Sequence, residues 1–273
     1  YIDPYDGISD IKTKIIRHVS PSFIEDPLRV LRVARFKAKL PFFVIHEETK
    51  TLMKQMVSDG EIGHLSSERI IAELIKGIEQ KHAFNMFIVL EDCGALPIIF
   101  PQICFDENKV AVKKILDLAS EVELSSSKRL LLFLLAVNFE VNSINPMIKV
   151  NASVIRLPSE IKKIIALLQK YTGTLISFYN LDAKEQLELL GAFDFFRRPH
   201  MVVECIDLLD LIVQGRDINN APLRKGRDLI LRYQSNLLAN KIIVDTEQSG
   251  EEIKLSLYGE RLNVLAKLKN RNS

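Results

Sequence analysis

From Ser22 onward the apolar positions along the chain recur three and four residues apart, the spacing of one face of an α-helix. Leu28, Leu31, Val33 and Phe36 follow it, as do Leu52, Met53 and Met56. The clearest run is Ile70, Ile71, Leu74, Ile75 and Ile78. Ser66 stands just before that run and Glu68 within its first turn, which predicts a helix start. Further helices are predicted at about 82–93, 108–120, 127–138, 158–170, 182–190, 199–213, 223–237 and 248–268. Gly94, Pro97, Pro101, Pro146, Pro158, Gly173, Pro199 and Pro222 punctuate them. Before Ser22 the pattern differs. It reads as a strand stub at Tyr1-Ile2, a polar turn over Asp3–Gly7, and a short strand around Lys14–His18. The best internal boundary is the stretch Asn138 to Ser153, which carries Asn142, Asn145, Pro146 and Asn151. The expected fold is mainly α-helical, with a small β remnant at the N-terminus.

Composition narrows the class. Of 273 residues, 47% are hydrophobic and 26% charged, the balance of a soluble globular protein with one large domain or two to three smaller ones. A net charge of +2 creates no overall field, so any nucleic-acid contact has to come from local basic clusters. Three scattered cysteines, Cys93, Cys104 and Cys205, form no C-x-x-C pair, which fits a reducing, cytoplasmic setting. The longest apolar run, Leu130 to Val137, is far too short to span a bilayer, so no membrane partner is expected. A first residue of Tyr rather than Met leads us to expect the interior of a longer protein.

The candidate chemistry lies at the start of the first long helix. Asp26 and Arg29 are three apart, and on a helix they share a face. An ionised carboxylate offers acceptors only, and a guanidinium offers a rigid fork of donors. Side by side they complement a base edge carrying an exocyclic amine next to ring acceptors, as in cytosine and adenine. Uracil and guanine turn a carbonyl toward the carboxylate instead, at a discrimination of about 1–3 kcal/mol per bidentate contact. Arg32, one turn on, is within reach of a triphosphate or the incoming base. Arg35 completes the series, although each step of three drifts by about 60°, which puts it opposite Asp26. A plainer reading stays open: Asp26 caps the helix, Pro27 begins it, and the arginines form a solvated face.

The segment Glu25-Asp26-Pro27-Leu28-Arg29 matches an E-D-x-x-R motif, and its flanks extend the match. They include Asp3-Pro4-Tyr5-Asp6-Gly7 with Asp10-Ile11, Arg17-His18-Val19-Ser20-Pro21, and Arg32-Val33-Ala34-Arg35-Phe36. Downstream stand Ser67-Glu68-Arg69-Ile70 with Glu73-Leu74, and Asp92-Cys93-Gly94-Ala95-Leu96 followed by Phe100-Pro101. Together these resemble the class II, bacterial CCA-adding tRNA nucleotidyltransferases over residues 1–102, and only faintly beyond. The resemblance implies that Asp26, Arg29, Arg32 and Arg35 bind nucleotide, and that Arg69 and Glu73 brace a helix. It implies the partners tRNA, CTP and ATP, with Mg²⁺ as cofactor. It divides the chain into 1–22, the end of a nucleotidyltransferase head; 23–102, a helical neck; and 103–273, a body and tail that bind tRNA.

Two absences qualify that reading. The family's metal-binding palm carries a G-S…D-x-D element, and no D-x-D occurs in these residues. The chain by itself is therefore expected to select and hold but not to transfer nucleotides, and to contain no metal ligands. Some relatives carry a His-Asp phosphohydrolase site in the C-terminal half. Here none of His18, His46, His64, His82 and His200 is followed by Asp, so the region is read as a degenerate scaffold. Its candidate RNA contacts are Arg197-Arg198, Arg224-Lys225 with Arg227, Lys162-Lys163, and Lys267, Lys269 and Arg271. A bacterial poly(A) polymerase shares the E-D-P-x-R element, and a non-catalytic helical RNA-binding paralogue is the third reading.

Overall fold

The computed structural model describes residues 2–101, 103, 105–139, 156–239 and 250–270. The described residues fall into two compact units, one comprising residues up to 165 and the other from 166 onward. The boundary expected at Asn138–Ser153 lies almost wholly outside the described residues, as do Cys104, Arg271 and the start of the last predicted helix.

In the first unit, α1 (Gly7–Thr13) and β1 (Ile15–Ile16) lead through a 3-10 turn at Pro21–Glu25 into α2 (Leu28–Lys39). Then come β2 (Val44–Ile45), α3 (Glu47–Ser58), α4 (Ser67–Ile78), α5 (Phe84–Asp92), the short α6 (Leu96–Ile99), α7 (Phe105–Ser120) and α8 (Ser126–Val137). The polar turn expected at Asp3–Gly7 is in fact the entry to a helix. Both Asp3 carboxylate oxygens accept backbone N–H groups, from Gly7 at 2.9 Å and Ile8 at 2.8 Å. These contacts satisfy orphan donors of the first turn and hold the Asp3 carboxyl below its ordinary value. The strand expected over Lys14–His18 shrinks to Ile15–Ile16, which pairs in parallel with Val44–Ile45, a strand the pattern gave no sign of.

α2 packs against α4 and α5, α4 against α8, and α7 against α8. The core is built from Val30, Leu31 and Ala34 of α2, Ile70, Leu74 and Ile78 of α4, and Met86, Phe87 and Leu90 of α5. Every residue from Leu130 to Val137 is buried, so beyond its polar first turn α8 is apolar all round and runs through the interior of this unit. Phe133 sits at its centre, stacked on Phe87 with ring centroids 3.6 Å apart and flanked by Phe100 and Phe105. Gly77 is where α4 and α5 meet closely: a Cβ there would lie 2.1 Å from the Met86 sulfur.

The second unit holds α10 (Ala183–Ala192), α11 (Pro199–Gly215), α12 (Ala221–Ala239) and α13 (Gly250–Asn270), while α9 (Ser159–Ile176) contributes residues to both units. α10 opens with a complete capping box between Asp182 and Glu185. α12 packs on α11 and α13, and α10 on α13. Phe195 stacks on Tyr233, whose hydroxyl donates to the Arg261 carbonyl at 3.2 Å and ties α12 to α13. No helix among the described residues is long and apolar enough to cross a membrane.

Candidate nucleotide site

The start of α2 is fixed by its own sequence. The Leu28 N–H donates to the Asp26 Oδ1 at 3.1 Å, and the Arg29 N–H donates to the Asp26 carbonyl at 3.0 Å. Pro27 itself occupies the cap position, with a φ of −61°, and the Asp26 carboxylate braces the turn that leads into α2. Beyond this start, Arg29, Arg32, Val33 and Phe36 recur at i, i+3, i+4 and i+7 and so share one face. That face borders an open cleft of about 430 Å³. Its opposite wall is Ile16–Ser20 with Ser22 and Phe23.

The cleft has a cationic end and an apolar wall. The Arg29 guanidinium donates to the Ser22 carbonyl, and Arg32 is exposed. Arg17 is a third arginine in the lining, bonded to both oxygens of Asp10 at 2.9 and 3.0 Å and to His46 Nε2 at 3.2 Å. His18 is oriented by the buried Thr49 hydroxyl, which lies 2.9 Å from its Nδ1. Val33, Phe36 and Phe23 supply the apolar surface. Ligand clefts of this kind combine apolar surface with a few fixed polar groups.

The other four motif residues engage each other across the helices. Arg69, which the resemblance assigns with Glu73 to bracing a helix, reaches over from α4 toward the start of α2, with one Nη lying 3.0 and 3.2 Å from the two Asp26 oxygens. Glu73 is bonded to Arg35 Nε at 2.7 Å and to Lys76 at 3.0 Å. α4 thus clamps α2 at two points, one at its start and one in its final turns. Arg35 and Asp26 are not among the residues lining the cleft. The Arg35 guanidinium lies 4.7 Å from the centroid of the Phe36 ring. Burial pushes the Glu73 carboxyl up, but the Lys76 and Arg35 cations outweigh it and hold the group below its ordinary value.

Most of the basic residues proposed as RNA contacts in the second unit are engaged within it. Arg224 bonds both oxygens of Asp210, Arg227 bonds Asp207, and Arg198 lies 3.6 Å from Asp194. Lys269 donates to the Leu181 carbonyl, and Lys225 lies 5.7 Å from the Tyr179 ring. Arg197, Lys162 and Lys163 are exposed.

Residues 42–106 match a family model described as the probable RNA and SrmB-binding site of polymerase A. A CCA-adding enzyme in complex with CTP matches 97% of this chain at 21% identity and a TM-score of 0.68. The Thermotoga maritima CCA-adding enzyme complexed with tRNA matches all of it at 18% identity and a TM-score of 0.64. A tRNA-processing enzyme complex matches 99% at 21% identity, with a TM-score of 0.58. The chain has the fold of the CCA-adding enzymes. It covers 62% of the CTP-bound structure and 68% of the tRNA-bound one, so it corresponds to a portion of the fold those enzymes contain. The helical architecture and small sheet agree with the resemblance carried by the motifs.

Proposed function

We propose that this chain is the nucleotide-selecting and tRNA-holding part of a CCA-adding tRNA nucleotidyltransferase. The observation that carries the reading is the cleft in which Arg29 and Arg32 share one face of α2 with Val33 and Phe36. Arg29 reads the base edge together with Asp26, which lies just before α2 and outside the lining of the cleft. Arg32 neutralises the triphosphate, and charge-assisted bonds of this type are roughly twice as strong as neutral ones. Arg35, engaged by Glu73, enters the reading as a brace for α2. The resemblance assigned it to the nucleotide itself. Residues 1–22 are then the end of the head, 23–102 the neck and 103–273 the body and tail. The match of residues 42–106 to an RNA-binding family model supports tRNA as the polymeric partner.

The Mg²⁺ that the resemblance implies finds no fit in the cleft. Its polar side chains are arginine, histidine and serine, whereas hard divalent cations take carboxylate and carbonyl oxygens. Among the described residues, no three His, Cys, Asp or Glu side chains gather into a group able to hold a metal ion. On this reading transfer belongs to a head domain. Tyr5, Ile11, Phe42 and Val44 are 58–78% exposed around the β1–β2 pair and supply an apolar surface for such a domain to cover.

Calorimetric titration of the chain with the four nucleoside triphosphates tests the selection. CTP and ATP are expected to bind and UTP and GTP to bind about ten-fold or more weakly, with Asp26→Ala removing the difference. Equal binding of all four by the unaltered chain overturns the reading. Incorporation of labelled CTP into tRNA lacking its 3′ end, by the isolated chain, would refute the division of labour. The description of the matching family model favours one second reading, a poly(A) polymerase. In that case the protein joined to its head would extend a poly(A) tail instead of stopping at CCA.

A further inference from the structure

We infer that Arg69 is a positioning residue for base choice, acting through Asp26, and not merely a brace between helices. The inference rests on the selection reading above and adds a residue to it. Asp26 can discriminate between an amine and a carbonyl only if its carboxylate is held in one orientation. A free aspartate at a helix start has no such constraint, because its terminal torsion is broad.

The hydrogen bonds around Asp26 supply that constraint. Oδ1 receives the Leu28 N–H at 3.1 Å and an Arg69 Nη at 3.0 Å. Oδ2 receives the same Nη at 3.2 Å and no further donor among the described contacts. One oxygen is therefore occupied twice. The other keeps a lone pair, with the carboxylate plane set by a donor from each side of the α2–α4 contact. Carboxylate oxygens accept two donors each, so Arg69 and an incoming amine can be accommodated together. Asp26 remains about one-third exposed and Arg69 about half exposed, at 32% and 49% of their side chains, so a ligand can approach.

Arg69 is itself placed by its helix. It lies in the first turn of α4, and its N–H donates to the Ser66 side chain at 3.4 Å. One turn later Glu73 holds Arg35, which fixes the distance of α4 from α2 at a second point. α4 thereby acts as a ruler that sets the acceptor of the selecting pair from outside the cleft. A shift of α4 would rotate Asp26 before it disturbed Arg29 or Arg32.

The test uses the full chain and measures dissociation constants for CTP and UTP by calorimetry. For Arg69→Ala we expect the UTP-to-CTP ratio to fall about ten-fold toward one, the change coming from weaker CTP binding. Arg69→Lys, which keeps a cation but loses the fork, should restore part of the ratio. A purely structural role for Arg69 predicts that both constants rise together and the ratio stays put; that outcome overturns the inference while leaving the selection reading intact. If Arg69→Ala melts below the working temperature, the Arg69→Lys ratio decides alone: an unchanged ratio counts against the inference and a reduced one for it. If the unaltered chain shows no preference for CTP over UTP, the selection reading fails and the inference with it.

Discussion

Two arginine–carboxylate pairings, Arg35–Glu73 in the first unit and Arg224–Asp210 in the second, join neighbouring helices in different ways. In the first, Glu73 of α4 meets Arg35 of α2 at 2.7 Å with only 7% of the carboxylate side chain and 20% of the arginine exposed. In the second, Asp210 of α11 meets Arg224 of α12 at 2.9 Å, and there the arginine is 55% exposed. Asp207 and Arg227 repeat this arrangement beside it, at 45% and 36% exposure. Distance does not separate the two cases; water does. A buried pair is costly to break because the survivor stays charged without a partner. An exposed pair is weak because solvent already screens it. The buried pair also sits on the helix that bears the cleft, whereas the exposed ones spend the basic residues that a sequence reader would assign to RNA.

The contrast is most exposed to refutation at Glu73. Replacing it with alanine strands Arg35 against α4 and is expected to cost about 3–5 kcal/mol in denaturant unfolding. A cost below about 1 kcal/mol would erase the distinction between the units. A smaller effect should appear with pH. The Glu73 carboxyl is held below its ordinary value, so the stability it contributes is complete above the unfolded carboxyl value of about 4.3. It is lost as the pH falls through the lower folded value. Thermal melts between about pH 5 and 2.5 should show this decline, and Glu73→Gln should flatten it. The smallest effect belongs to the second unit. Arg224→Ala is expected to change stability by less than about 1 kcal/mol. Because its charge is engaged by Asp210, that substitution should also leave the salt dependence of tRNA binding nearly unaltered; a slope that drops by about one would return Arg224 to the list of phosphate contacts.

These differences also explain what the sequence could convey. The starts of α2 and α4 were legible because the contacts that set them are local: Asp26 accepts from Leu28, and Ser66 accepts from Arg69. α1 was missed because it buries no residue and so leaves no apolar stripe to read. Its cap is supplied by Asp3 through a turn in which Asp6 adopts a φ of 55°. β2 was missed because two residues carry no alternation, and its partner lies some 30 positions earlier. The same limit applies at the site. The resemblance assigns Arg69 and Glu73 together to bracing a helix, yet Arg69 meets Asp26 before α2, and Glu73 meets Arg35 on α2 as well as Lys76 on its own helix. Spacing reports which residues share a face, but not what that face meets.

The enclosure of α8 has a dynamic counterpart. Its backbone hydrogen bonds are shielded by Leu130 to Val137 on every side, so local fraying gives solvent no access to them. Its amide protons should exchange only when the whole unit opens, at the slowest rates in this part of the chain. Those of α1, which has no buried residue, should exchange through brief local openings. The first unit thus has a stable interior and a labile edge, and the cleft beside α2 lies toward the labile side, where β1 and the segment after it form its outer wall.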